Sequence, residues 1–359
     1  MTGIYIHIPF CARKCPYCDF FSASYRKETA ERYVGAVIRN LAAYASDETV
    51  DTVYFGGGTP SLLSAEQIGA ILTACDEAFH LAKNAEITME CNPTGRRRDY
   101  LRAIRSAGVN RLSIGTQSFS DAQLTMLGRT HTAQDGIRTV MDACDAGFQN
   151  ISCDLMLACP GQTEALLTET VRTLGTLPIT HVSAYLLQVE AGTPLSQDAA
   201  LLGQLPTEDA AADLYLHTVQ RLAEAGFAQY EVSSFAKEGF RSRHNLKYWQ
   251  CDPYLGIGAG AHSCYGGKRF QVPKDIEAFC MSPVQPTSLI DENPCGREER
   301  LMLSLRTTDG VPAEELPPAG VNKIPLLEKA GYLKNEHGRV HLTPSGFAVS
   351  NAVIAALLD

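Results

Sequence analysis

Three cysteines near the N-terminus, Cys11, Cys15 and Cys18, constrain this chain more than any other feature. They form a C-x3-C-x2-C loop directly after the apolar run Ile4-Tyr5-Ile6-His7-Ile8. An iron–sulfur cube takes one thiolate per iron, four in all. Three closely spaced thiolates with no fourth partner in the loop leave one iron with an open coordination position, where a small ligand binds and receives an electron. A structural zinc site pairs two cysteine or histidine hooks, and no second hook follows here. A disulfide framework suits short chains with regular cysteine spacing. Here Cys75, Cys91, Cys144, Cys153, Cys159, Cys251, Cys264, Cys280 and Cys295 lie scattered through 359 residues. Those nine read as small core hydrophobes. The N-terminal three read as ligands of a 4Fe-4S cluster.

A chain of this length accommodates one large domain and a smaller one, and 45% hydrophobic residues provide an ample core. A net charge of −9 argues against nucleic acid as a partner, because phosphate binding needs a basic face. The run Arg96-Arg97-Arg98 reads as the solvated start of a helix. No stretch approaches the ~18 apolar residues of a membrane span, and Met1-Thr2-Gly3-Ile4 shows no signal-peptide pattern. The expectation is a soluble, cytoplasmic protein, where thiols stay reduced.

Short β-branched runs alternate with longer amphipathic ones. Strands are expected at Ile4–Ile8, Thr52–Phe55, Glu86–Glu90, Arg111–Gly115, Ile151–Leu155, His181–Leu187 and Gln229–Val232. Ser64, Thr132 and Thr207 carry helix N-cap signals, with Gln67 completing a capping box after Ser64. Gly108, Gly147 and Gly226 each sit where a helix ends in a left-handed residue. On the helix after Thr132, Ile137, Val140, Met141 and Cys144 are expected to share one buried face. Repeated strand–helix units imply right-handed crossovers and a parallel sheet. The fold class is therefore α/β, an open, partial (β/α)6 barrel over residues 1–235. Residues 236–290 read as a loop-rich connection. Residues 291–359 read as a small winged-helix-like α+β domain of helix, helix, hairpin and helix.

In such a sheet, ligands sit at the C-terminal strand ends. Phe55-Gly56-Gly57-Gly58-Thr59-Pro60 follows the second strand, and its glycines allow a ligand close to the backbone. Glu90 and Asn92 end the third strand. Gln117 and Asp154 follow at the fourth and fifth, and Arg129 offers a fork for a carboxylate. Each alone reads as a cap or a satisfied turn; their joint placement points to one ligand pocket.

These motifs together resemble the radical S-adenosylmethionine (SAM) superfamily. Tyr5-Ile6-His7-Ile8-Pro9-Phe10-Cys11, Gly56-Gly57-Gly58-Thr59-Pro60 and Glu90-x-Asn92-Pro93 are similar to its oxygen-independent coproporphyrinogen III oxidase branch, along essentially the whole chain. The resemblance implies that Tyr5, Tyr17, Gly57, Gly58 and Glu90 contact a SAM at the cluster. Thr59, Gln117, Arg129 and Asp154 match positions that hold a second SAM in the oxidase. Two departures matter. The oxidase loop ends in a fourth cysteine where this chain has Phe20, and His244-Asn245-Leu246-Lys247-Tyr248-Trp249 matches the H-N-x-x-Y-W signature of the HemW-like haem chaperones. From residue chemistry, His244 is a candidate axial ligand for haem iron, and Tyr248 and Trp249 offer stacking faces, with Asn245 beside them. A hydrogen-bonded histidine in a packed loop is the plain alternative.

Two functions stay open at this level. One is a chaperone that binds haem and delivers it to haem proteins of the respiratory chain, retaining cluster and SAM as regulators of dimerisation or haem release. The other is an oxidase in which SAM is cleaved to a 5′-deoxyadenosyl radical for oxidative decarboxylation of porphyrinogen propionates. A radical SAM enzyme with another substrate is a third option. Phe20 and the His244–Trp249 motif favour the chaperone over an active oxidase. The resemblance leaves room for a homodimer and for peripheral membrane association, although no basic amphipathic helix advertises the latter.

Overall fold

Alternation along the N-terminal strands decides the architecture. Ile4, Ile6 and Ile8, Val53 and Phe55, Ile87 and Met89, Leu112 and Ile114, and Ile151, Cys153 and Leu155 are all buried in one hydrophobic core. The residues between them are mostly polar, and successive side chains on a strand point to opposite faces. One face of the sheet therefore packs on helices, and the other encloses a polar interior. The structure is a computed structural model that describes residues 1–93 and 98–359. Arg96 and Arg97 lie outside the described residues. Arg98 is exposed, opens the helix Arg98–Ser106 and pairs with Asp142 and Asp145.

Six parallel strands form the barrel wall: β1 (Thr2–Ile8), β2 (Thr49–Gly57), β3 (His80–Cys91), β4 (Arg111–Gln117), β5 (Asn150–Leu157) and β6 (His181–Leu186). Between them run helices that begin where the caps place them. Ser64 and Thr132 each close a reciprocal capping box, with Gln67 and Asp135 respectively, and the Thr207 side chain accepts from the Ala210 amide. Each such cap contributes about 1 kcal/mol. Gly108, Gly147 and Gly226 all adopt positive φ at helix ends.

Three expectations need correction. On the helix Ala133–Asp145 the buried residues are Gly136, Thr139, Val140 and Ala143, whereas Met141 and Cys144 are exposed. Small residues at Gly136, Thr139 and Ala143 face inward with Val140, Ile137 packs beside them on the core, and only Met141 and Cys144 turn outward. The strand expected at Gln229–Val232 is instead two short antiparallel pieces, Ala228–Gln229 and Ser234–Ala236, at the β6 edge. Residues 236–290 are not a loop-rich connection. They hold the helix Arg243–Gln250, a seventh parallel strand, Tyr254–Ile257, paired to β1, and the antiparallel strands His262–Tyr265 and Lys268–Gln271; Ser288–Asp291 follows, extending one twelve-stranded sheet. Strands of four residues carry too little periodicity to be read from sequence.

The C-terminal region packs the helices Arg297–Ser304, Pro318–Lys329 and Ser350–Leu358 around a small antiparallel sheet of Val311–Pro312, Arg339–Leu342 and Leu333–Glu336. The helix Arg297–Ser304 rests on the helix Arg243–Gln250.

Candidate functional site

The cysteine loop leaves β1 and is pinned from beneath by the glycine-rich turn after β2. The Gly58 amide donates to the Ile8 carbonyl at 2.9 Å and the Thr59 amide to the Phe10 carbonyl at 2.7 Å. A Cβ at Gly57, whose φ is +107°, would come within 2.5 Å of the His7 ring, and one at Gly58 within 2.6 Å of the Phe10 carbonyl. These glycines are thus required by packing against the loop's own base, a reason additional to ligand approach.

Cys11, Cys15 and Cys18 are half-buried thiols on this loop, and no disulfide joins any of the twelve cysteines. Burial raises the Cys18 thiol, and the neighbouring Cys15 and Cys11 sulfurs raise it further. One hydrogen-bonded chain ties two of the sulfurs together. Thr59 Oγ1 donates to Cys11 Sγ at 3.7 Å, and Asn92 Nδ2 donates to Thr59 Oγ1 at 3.0 Å. Arg129 Nη2 donates to Asn92 Oδ1 at 2.6 Å and to the Gly115 carbonyl at 2.8 Å, while Nη1 reaches Cys15 Sγ at 3.5 Å. Arg129 also hydrogen-bonds Tyr17, whose phenol is pushed up by burial. A guanidinium and a hydroxyl aimed at sulfur suit anionic thiolates, and this donor set fits a thiolate-held cluster.

Gln117 and Arg129 come together at the end of β4, beside Gly115. Gln117 is a non-glycine residue at φ +61°, and its Oε1 is buried without a partner. Strain and an orphaned acceptor at one residue are costs of about 1–3 kcal/mol each, tolerated where a ligand compensates. Near the end of β3, Glu90 accepts from the Tyr54 hydroxyl at 3.1 Å and the Gly57 amide at 3.2 Å. On β5, Asp154 accepts from Ser113 at 3.0 Å. Both residues are half-buried. Burial, then the Asp154 charge, pushes Glu90 up to about 8; burial pushes Asp154 up to about 6. A cation entering this space would draw both carboxyls into their charged form. Tyr5 stacks on Tyr54 with ring centroids 6.1 Å apart and shares a hydrogen bond of 3.1 Å with His7.

The H-N-x-x-Y-W residues are not at this mouth. They lie on the helix Arg243–Gln250, beneath the N-terminal strand ends. His244 shares 2.8 Å with Thr52 Oγ1 through Nδ1 and 2.9 Å with the Tyr248 hydroxyl through Nε2. Thr52 and the Gly57 turn are five residues apart on one strand, roughly 17 Å. His244 has no exposed surface, and burial, then Lys247, lowers it to about 3. With both nitrogens engaged and the ring neutral, His244 as placed serves the fold. Glu86 holds the helix start, accepting from the Arg243 and His244 amides at 3.2 and 3.1 Å, a carboxylate at the positive end of a helix. Lys247 is buried and pairs with Asp51 at 2.8 Å. Tyr248 stands edge-on to Tyr254, and Asn245 and Trp249 are half-buried on the same helix.

Asn92, expected at the pocket from its place at a strand end, bridges Thr59 and Arg129. Sequence reasoning passed over Tyr54, which carries Glu90 and lies 5.2 Å from the His244 ring; it sits inside an ordinary strand and gave no signal.

The chain matches the radical SAM superfamily over residues 5–174. "Heme chaperone HemW" of Lactococcus lactis is 34% identical over 370 residues, covering 99% of this chain and 97% of that protein. "Radical S-adenosyl methionine domain-containing protein 1, mitochondrial" of Bos taurus is 41% identical over 389 residues, covering 100% and 87%. Among solved structures, coproporphyrinogen III oxidase (HemN) from Escherichia coli shares the fold with a TM-score of 0.83 at 20% identity, over 99% of this chain and 90% of that one.

Proposed function

The chain belongs to the HemW haem chaperone family of radical SAM proteins, and from that premise we propose that it binds haem and hands it to haem proteins. The observation that carries this reading is likeness over the full length, including His244–Trp249 and the C-terminal region, to a protein named as a haem chaperone. Cys11, Cys15 and Cys18 would hold a 4Fe-4S cluster. Tyr5, Tyr17, Gly57, Gly58 and Glu90 would hold SAM, with Thr59, Gln117, Arg129 and Asp154 receiving a second ligand of that kind or steadying the first. When bound, the cluster supplies an electron to the sulfonium. The protein's own part is to orient the thiolates through Thr59 and Arg129 and to present Glu90 and Asp154 to a cationic ligand.

Phe20 is 64% exposed at the place of the oxidase's fourth cysteine, which supports a chaperone over an active oxidase. Haem contact at His244, Asn245, Tyr248 and Trp249 requires the helix Arg243–Gln250 to move, because His244 has no exposed surface. Haem titration of the full chain tests this. A saturable, shifted Soret band with faster amide exchange in Arg243–Gln250 supports the reading, and an unsaturable titration with unchanged exchange removes it. Anaerobic incubation with coproporphyrinogen III, SAM and a reductant is expected to give no divinyl product. Its appearance would make the chain an oxidase.

A further inference from the structure

Behind the helix Arg243–Gln250, three cysteines from three separate elements converge, although the sequence leaves them widely spaced. Cys251 ends that helix, Cys264 lies on the strand His262–Tyr265, and Cys295 precedes the helix Arg297–Ser304. Cys264 Sγ and Cys295 Sγ are 3.6 Å apart, and Cys251 is close enough to Cys295 for the two thiols to be coupled. Both thiols thus address Cys295 as their common partner. Arg269 Nη2 approaches Cys295 Sγ at 3.9 Å and is itself held by Glu299 at 2.6 Å. The backbone is shaped for this meeting. Cys251 and Cys295 both adopt left-handed φ, +56° and +64°, a cost for any residue with a Cβ. The Cys295 amide donates to Glu299 at 2.7 Å, and its carbonyl accepts from Arg300 at 2.6 Å. Cys295 is therefore fixed from both sides with its sulfur against two thiols and a guanidinium. Burial, then the contact with Cys295, raises both the Cys251 and the Cys264 thiols.

We propose that Cys295 is the reactive thiol of a disulfide-forming modification site, with Cys264 as its resolving partner and Cys251 as the alternate. The co-reactant is a low-molecular-weight disulfide. Cys295, having lost its proton to solvent, attacks one sulfur of glutathione disulfide; that S–S bond breaks and one glutathione leaves as thiolate. Cys264 then loses its proton and attacks Cys295 Sγ, expelling the second glutathione. Two protein thiols are oxidised, and one glutathione disulfide is reduced to two glutathiones. From 3.6 Å, closing to a bond of ~2 Å needs only a small approach of the two side chains. The cross-link fastens the loop that enters the C-terminal helices to the strand His262–Tyr265, third from the end of the large sheet.

The full chain, kept anaerobic with its cluster, is incubated in graded glutathione disulfide and glutathione mixtures, blocked with N-ethylmaleimide, digested and mapped by mass spectrometry. A Cys264–Cys295 linked peptide is expected, with alkylation of both residues falling together as the mixture becomes oxidising. Exposed Cys144 serves as the internal reference and acquires only a glutathione adduct. In Cys264→Ser the link moves to Cys251–Cys295, and in Cys295→Ser no link forms in this region. Cys295 remaining fully alkylated, or retaining glutathione without linking to either neighbour in the unmutated chain, overturns the proposal.

Discussion

The two ends of the barrel treat their polar groups differently. At the floor, His244 has both ring nitrogens bonded, Glu86 receives two backbone amides and Lys247 is paired with Asp51. At the mouth, Gln117 carries an orphaned oxygen on a left-handed backbone, Glu90 is held near neutrality by burial, and Cys11 has one weak donor. Groups that the protein satisfies are serving the fold; groups left short of partners, at a strained rim, are waiting for ligands. Arg111 complicates the division, since it is buried between the two ends with Nε and Nη1 lacking a partner.

The strongest way to break this contrast is at the cysteines. Cys11→Ala/Cys15→Ala/Cys18→Ala should take iron from about four per chain to none while the chain stays folded, as iron, sulfide and circular dichroism assays will show. Iron retained at full content contradicts the site. At the floor the opposite outcome is expected. His244→Ala strands Thr52 and Tyr248 and should destabilise the fold by about 2–4 kcal/mol in urea denaturation.

The same histidine gives a pH signature. Its folded value of about 3 lies below its unfolded one, so the unfolded chain binds more protons in between. Its contribution is present above pH ~6.5 and is lost as pH falls toward about 3. His244→Gln should flatten that part of the stability–pH profile, and an unchanged profile would argue that the ring is not held as described.

Glu90 runs the other way. Its folded value of about 8 exceeds the unfolded one, so its protonated form favours folding at low pH and the advantage falls as pH rises from ~4.5 through 8. Binding of cationic SAM at pH 7 should therefore release a proton. Calorimetry in buffers of different ionisation enthalpy should detect it, and Glu90→Gln should abolish the release and weaken binding roughly 10- to 100-fold, the loss of one charged hydrogen bond. The mildest change is Gln117→Gly, expected to stabilise the fold by about 1 kcal/mol by relieving backbone strain, with weaker SAM binding. Lost stability there would mean that Gln117 serves packing.

Much of the mouth was legible in sequence because strand-end motifs follow the chain: cysteines after β1, glycines at the end of β2, Glu90 and Asn92 at the end of β3. Local caps and helix-ending glycines were equally readable. The floor was not. His244 belongs with Thr52, 192 residues away, and Glu86 with the helix start 158 residues on; nothing in either segment announces the other. The Cys251, Cys264 and Cys295 meeting was hidden for the same reason, and the outward turn of Met141 and Cys144 because the small residues Gly136, Thr139 and Ala143 face inward.

Haem handover is tested most directly by one mixing experiment. The full chain loaded with haem is combined with an excess of an apo-haem protein and followed through the Soret region. Movement of the band to that of the acceptor, at a rate that rises with chaperone–acceptor encounter, is the expected result. Haem that never saturates the chain, or reaches the acceptor no faster than from solution, contradicts it.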